Sequence, residues 1–248
     1  MVASRFSTPM DSSNLHSNSS SPERRDVSRD DGERRIHYDA VFTLARASEA
    51  HDPETGAHLL RIREIVERIA LQMNYKPEEA ATLAIDAMLH DVGKLNIPRE
   101  VLQKEGPLTP EERELMESHT LRGEELLADR PSFHRAAIIA RSHHEAWEGG
   151  GYPDGLSGDA IPLEARITAV ADVLDALISD RCYKQAWSYE DAMTEVCGLS
   201  EKQLDPAVIE ALHRCNAAGG LCAIFDLPPQ CVTLDSSAAP DDLVPNNE

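Results

Sequence analysis

Leu59-Leu60-Arg61-Ile62-Arg63-Glu64-Ile65-Val66-Glu67-Arg68-Ile69 repeats its apolar residues at helical, not alternating, intervals. Leu59, Leu60, Ile62, Ile65, Val66 and Ile69 lay one apolar stripe along a helix. No stretch of the chain shows the period-two pattern of a half-buried strand, and aromatic residues make up only 4% of the sequence. The fold class expected is therefore all-α, with about seven or eight helices and no internal repeat. Start signals support this count. Thr109-Pro110-Glu111-Glu112 sets an N-cap, a first-turn proline and a capping-box glutamate in order. Ser188 and Asp205-Pro206 open two later helices in the same way. Gly149-Gly150-Gly151-Tyr152-Pro153-Asp154-Gly155 is too rich in breakers to be anything but a loop.

The chain has 248 residues, enough for one well-buried domain with flanking tails. Residues 1–35 hold six Arg and six acidic residues among Ser and Asn, and offer little apolar surface; a disordered leader is expected there. The domain itself is expected over residues 36–216. A C-terminal extension, residues 217–248, follows and is expected to be disordered from about 235. Lys and Arg total 24 against 44 Asp and Glu, and a net charge of -20 argues against long nucleic acids as partners. A phosphate ligand would need local cations, which bound divalent metals supply. The five cysteines are odd in number and never spaced Cys-x-x-Cys, so neither a disulfide framework nor a zinc knuckle is indicated. No apolar run reaches the roughly 20 residues of a membrane span and no secretion signal opens the chain, so a cytoplasmic protein is expected.

The ten histidines carry the chemical signal. His90-Asp91, His143-His144 and the pair Glu54 and His58 form compact groups, with His119 and Asp172 as two further candidates. Neighbours on a helix point about 100° apart, so each adjacent pair suits a cavity holding two ions better than the chelation of one. Glu54 and His58 share a face if their helix begins near Thr55, and His119 is expected in a helix that starts at Pro110. Nitrogen and carboxylate ligands without thiolates suit Fe, Mn or Zn. His37, His134 and His213 read as surface or capping residues. Two neighbouring divalent ions can activate water, so no serine or cysteine nucleophile is needed.

His51-Asp52-Pro53-Glu54-Thr55-Gly56-Ala57-His58, His90-Asp91-Val92-Gly93-Lys94, His119-Thr120, His143-His144-Glu145 and Gly151-Tyr152-Pro153 follow one another in the order of the HD-GYP signature. Asp172-Val173-Leu174-Asp175-Ala176-Leu177 and Arg181-Cys182-Tyr183-Lys184 extend it, and the chain resembles the HD-GYP family over about residues 36 to 216. The resemblance implies an HD-type helical bundle and hydrolysis of cyclic di-GMP to linear pGpG and on to GMP, in bacterial second-messenger signalling. It implies metal ligation by Glu54, His58, His90, Asp91, His119, His143, His144 and Asp172, with Asp91 bridging two ions. It gives Asp91 and Lys94 catalytic roles, Lys94 through a substrate phosphate. The substrate would also meet Gly151, Tyr152, Pro153, Arg181 and Lys184. Two or three divalent ions, Fe or Mn, are implied, a third through Glu54, which could instead be a helix cap. The Gly-Tyr-Pro loop is similar to one that docks diguanylate cyclase (GGDEF) domains, and homodimer formation stays open. The chain departs from the pattern at His51, Leu204 and Glu148, where a basic residue, a phenylalanine and an aspartate are usual. Two other readings stand beside this one: a nucleotide phosphohydrolase of the wider HD superfamily, and a non-enzymatic cyclic di-GMP receptor or scaffold.

Overall fold

The computed structural model describes residues 22–48, 56–179, 186–221 and 223–225. Two units are distinguished, residues 1–37 and residues 38–248. Among the described residues there are ten α-helices and no β-strand. They are α1 (Pro22–Ser48), α2 (Gly56–Gln72), α3 (Pro77–Ala87), α4 (Arg99–Leu102), α5 (Pro110–Glu117), α6 (His119–Leu127), α7 (His134–Ser142), α8 (Leu163–Ile178), α9 (Tyr189–Gly198) and α10 (Pro206–Ala217). Short 3₁₀ turns lie at Val92–Asn96, Pro131–Phe133 and Gly158–Ala160. The all-α expectation holds. The count exceeds seven or eight because α4 is a single turn and because Ser118 divides α5 from α6. His119 is thus the first residue of α6, not part of a helix running on from Pro110.

Helical backbone begins at Pro22, inside the segment expected to be a disordered leader. Glu and Arg are good helix formers and Pro22 takes the first helical position, so local preference suffices for a helix where no apolar face exists. Among the described residues, buried core side chains start only at Val41. At the other end Leu221 is still buried and Phe225 lies 6.1 Å from the Tyr189 ring, so the start of the C-terminal extension packs on the domain. The tail from 235 lies outside the described residues.

The stripe on α2 buries Leu59, Ile62, Ile65, Val66 and Ile69. Leu60 departs from it: one residue on from Leu59 it is turned about 100° away and stands 40% exposed. Around α2 the main core gathers Leu83 from α3, Ile167 and Leu174 from α8, Met193 from α9, and Val208 and Leu212 from α10. Each such side chain contributes about 1.5 to 3 kcal/mol by leaving water. A second cluster joins Val41 and Ala45 to Leu59, Met88, Leu89, Val92, Leu127, Ala136 and Ala140. The expected caps are present. Thr109 Oγ1 accepts from Glu112 N at 3.2 Å while Glu112 Oε2 accepts from Thr109 N at 2.8 Å. Ser188 Oγ accepts from Asp191 N, and Asp205 Oδ1 from Ala207 N. Asp205 Oδ2 also takes a hydrogen bond of 2.6 Å from Arg166, tying the start of α10 to α8.

Gly93 decides how closely the turn after α3 approaches α6. A Cβ there would lie 1.9 Å from the His119 carbonyl oxygen and 2.5 Å from Gly123 N, so only glycine lets the two backbones meet. No described helix is long and apolar enough to cross a membrane.

Candidate metal centre

Five elements deliver the ligand candidates. His58 is on the first turn of α2, His90 and Asp91 lie in the turn after α3, and His119 opens α6. His143 and His144 follow directly on α7, with His143 as its C-cap, and Asp172 is on α8. They assemble into two groups. One ligand atom from each of Asp91, His119, His143 and His144 lies within 4.8 Å of the others, and the same holds for His58, His90 and Asp172. Asp91 joins the groups. Its Oδ1 is 3.3 Å from His119 Nε2 and 3.7 Å from His143 Nε2, while its Oδ2 is 3.4 Å from His90 Nε2 and 2.7 Å from Lys94 Nζ. His90 Nε2 lies 3.8 Å from Asp172 Oδ1.

The outer hydrogen bonds of the rings set which nitrogen faces inward. His90 Nδ1 donates to the Ala87 carbonyl at 2.9 Å, His119 Nδ1 to Met116 at 2.7 Å, and His143 Nδ1 to Ala140 at 3.1 Å. Each of these carbonyls lies three residues back, where a helical or turn backbone puts it beneath the ring. Nδ1 is therefore the donor of each ring, and Nε2 is the nitrogen turned to the cavity, able to ligate a cation once it carries no proton. His119 Nε2 and His143 Nε2 face each other at 3.5 Å, and His90 Nε2 and Asp91 Oδ1 are buried without a hydrogen-bond partner among the described residues. Opposed lone pairs beside a buried carboxylate oxygen need a cation between them, because buried polar atoms without partners are costly. This donor set fits divalent metal ions.

His58 is held differently. Its Nδ1 lies 2.7 Å from Asp175 Oδ2, and the Arg61 guanidinium grips the same carboxylate through Nε and, at 3.1 Å, through Nη2. Charges in the site are strongly biased. Burial works against the charge on Asp91, yet the Lys94 ammonium and the His90 ring outweigh it and hold the carboxyl well below the usual range. Burial also pulls His90 down, but the Asp91 carboxylate lifts it to about 9. Burial pushes His119 down to about 4, and burial with the neighbouring His143 ring pushes His144 well below its ordinary value.

The Gly-Tyr-Pro loop forms one wall. The Tyr152 ring stacks on His144 at 4.8 Å between centroids and meets His119 edge-on at 6.3 Å. Tyr152 N donates to the His144 carbonyl at 3.2 Å, and a Cβ on Gly151 would come within 2.6 Å of three backbone atoms of residues 144–146.

Of the residues expected at the site, His58, His90, Asp91, Lys94, His119, His143, His144, Gly151, Tyr152, Pro153 and Asp172 are described. All but Gly151 and Pro153 have a side-chain contact with the two ligand groups or belong to them. Glu54, Arg181 and Lys184 lie outside the described residues. Two residues that stand within the quoted signature carry no role in the sequence reading. Asp175 orients His58, and its signal was a position three after Asp172 on one helix face. Glu145 anchors the loop and has no local signal beyond following the His pair.

An HD domain family model matches residues 42–208. The chain is 43% identical over 181 residues to the cyclic di-GMP phosphodiesterase response regulator RpfG of Xanthomonas campestris pv. campestris, a match covering 72% of this chain and 48% of that protein. It is 40% identical over 181 residues to the 3'3'-cGAMP-specific phosphodiesterase 2 of Vibrio cholerae, covering 72% of this chain and 35% of that one. A solved structure of a cyclic GMP-AMP specific phosphodiesterase from V. cholerae superposes with a TM-score of 0.55 at 23% identity, over 79% of this chain and 55% of that one. The chain thus spans about half or less of the length of these curated relatives. With the matched residues running from α1 through the start of α10 and enclosing every described ligand candidate, the chain belongs to the HD domain family.

Proposed function

We propose that this chain is a metal-dependent phosphodiesterase that hydrolyses cyclic di-GMP to linear pGpG, with GMP as the alternative end product and residues 36–216 as its domain. The observation that carries the reading is Asp91, whose two oxygens face two separate ligand groups. When bound there, divalent ions, Fe or Mn in this reading, would lower the pKa of water and neutralise charge on a phosphodiester. His58, His90 and Asp172 would hold one ion, and His119, His143 and His144 the other, with Asp91 shared. Glu54 would add a ligand for a third.

The chain's own groups do the rest. Lys94, 2.7 Å from Asp91, places an ammonium at the cavity edge where a non-bridging phosphate oxygen gains from it as negative charge builds. The three backbone carbonyls beneath His90, His119 and His143 fix Nδ1 as the donor of each ring and aim Nε2 inward, where a bound ion would take the place of any proton on it. Tyr152 covers His144 and limits the approach of bulk water from that side. Arg181 and Lys184 supply cations for the dinucleotide, and the Gly151-Tyr152-Pro153 loop serves as its rim. The same loop is the surface proposed for a diguanylate cyclase domain, and homodimer formation and a cytoplasmic location complete the proposal.

Relatives named as cyclic di-GMP phosphodiesterases at 40 to 43% identity support this substrate. A second reading, 3'3'-cGAMP as substrate, is favoured by the V. cholerae relative of that name. The test is turnover by protein purified without oxygen, with cyclic di-GMP, 3'3'-cGAMP and nucleoside triphosphates offered in parallel. Hydrolysis of a cyclic dinucleotide with triphosphates left intact is the expected result. Turnover of triphosphates alone would make the protein a nucleotide phosphohydrolase, and full metal content without turnover would make it a receptor.

A further inference from the structure

Glu145 follows the histidine pair at the end of α7 and is 5% exposed. Its carboxylate makes no bond to a ligand candidate among the described residues. Oε1 accepts from Asp154 N at 2.7 Å and Oε2 from Leu156 N at 2.9 Å, so both oxygens are spent on the backbone just beyond Pro153. A buried carboxylate is costly unless paired, and two backbone N–H donors are what offset that cost here. From the outside Arg141 holds the same stretch, with two 2.7 Å bonds to Asp154 and a further ion pair to Glu124 on α6. The loop's far end is closed by Gly158 N donating to the Trp147 carbonyl at 2.8 Å. Between these ties, Gly151 is pressed on the backbone of 144–146 and Tyr152 is laid on the His144 ring.

We propose that Glu145 is a positioning residue that sets the height of Tyr152 over His144, and through it the fit of the substrate against the loop side of the cavity. The inference rests on the phosphodiesterase reading for its kinetic consequence, but not for its structural one. Two ligands follow directly on α7 and the next residue braces the loop, so the ligands and the substrate-facing wall share one support. A strut of this kind acts on the wall without touching the ions. Glu145→Gln keeps the size of the side chain but replaces one accepting oxygen with an NH₂ group that cannot accept from a backbone N–H. One of the two loop bonds is then lost and the loop rides further from α7.

Two readouts separate the proposal from a merely structural role and from failure of the functional reading. In zinc-loaded protein, the ring protons of His144 feel the ring current of Tyr152. Glu145→Gln should move their NMR signals toward the positions seen in Tyr152→Ala, with zinc content unchanged, and this needs no turnover. Kinetically, Glu145→Gln should raise KM for the cyclic dinucleotide about tenfold while kcat changes less than about threefold, and the KM effect should vanish when Tyr152 is already Ala. His144 signals that stay at their wild-type positions would overturn the proposal, as would KM effects that multiply in the double variant. If Glu145→Gln does not fold, the exposed Asp154→Ala loosens the same loop from outside. It should shift the His144 signals in the same direction, and unmoved signals there would overturn the proposal equally. Should wild type turn over no cyclic dinucleotide, the phosphodiesterase reading falls while the NMR outcome still decides the role of Glu145.

Discussion

Asp91 and Asp175 do different work with the same functional group. Asp91 faces ligands with both oxygens, Oδ1 toward His119 and His143 and Oδ2 toward His90 and Lys94. Asp175 belongs to neither ligand group and instead orients one ring of a group, His58, while Arg61 balances its charge. Replacing them should therefore give separable results. Asp91→Ala removes the shared carboxylate, and turnover should fall by about a thousandfold or more with most of the bound metal lost, because carboxylate ligands hold the ions directly. Asp175→Asn keeps the shape but removes the anionic partner of His58. Metal affinity should drop about 10- to 100-fold with the fold intact, as read by competition with a chelator. Equal loss in both variants would mean that Asp175 is a ligand in its own right.

Helices and turns place these residues through contacts that differ in how far apart they lie in the chain, and that difference governed what the sequence disclosed. Caps are local. Thr109→Ala should cost about 1 kcal/mol, seen as a lower urea midpoint with an unchanged slope, because it removes one side of a capping box visible in four consecutive residues. The periodicity of α2 and the paired spacing of His90-Asp91 and His143-His144 are local too, and both were legible. The division at Ser118 was not, since Glu117-Ser118-His119 contains neither glycine nor proline and the chain stays in the right-handed helical region there. The meeting of Gly93 with the His119 carbonyl was equally hidden, because it joins residues 26 positions apart that only the packed fold brings together. Gly93→Ala should accordingly destabilise the protein by about 3 kcal/mol or more, far beyond an ordinary glycine replacement, and thermal unfolding will measure it. The Asp175 and Glu145 contacts fall in the same class: the residue types are visible in sequence, but the partners are 117 and 9 or 11 residues away.

At the scale of the whole molecule, a chain of net charge -20 encloses a site where imidazole and carboxylate ligands converge and where Lys94 is the described ammonium at the edge. Metal ions would reverse the local field for an anionic substrate, so ion content and function are linked. The first 35 residues contribute no described core side chain and no candidate ligand. Their deletion should leave both the melting temperature and the turnover of the remainder unchanged, and a large fall in melting temperature would show that the leader packs on the domain. The central claim is that two ligand groups share Asp91, and the number of metal ions per chain tests it most directly. Elemental analysis of protein purified without oxygen should find at least two ions in wild type and fewer than one in Asp91→Ala, with Glu54→Ala reduced by one if the third position is filled. A single ion in wild type, or an undiminished content in Asp91→Ala, would contradict the shared-carboxylate site.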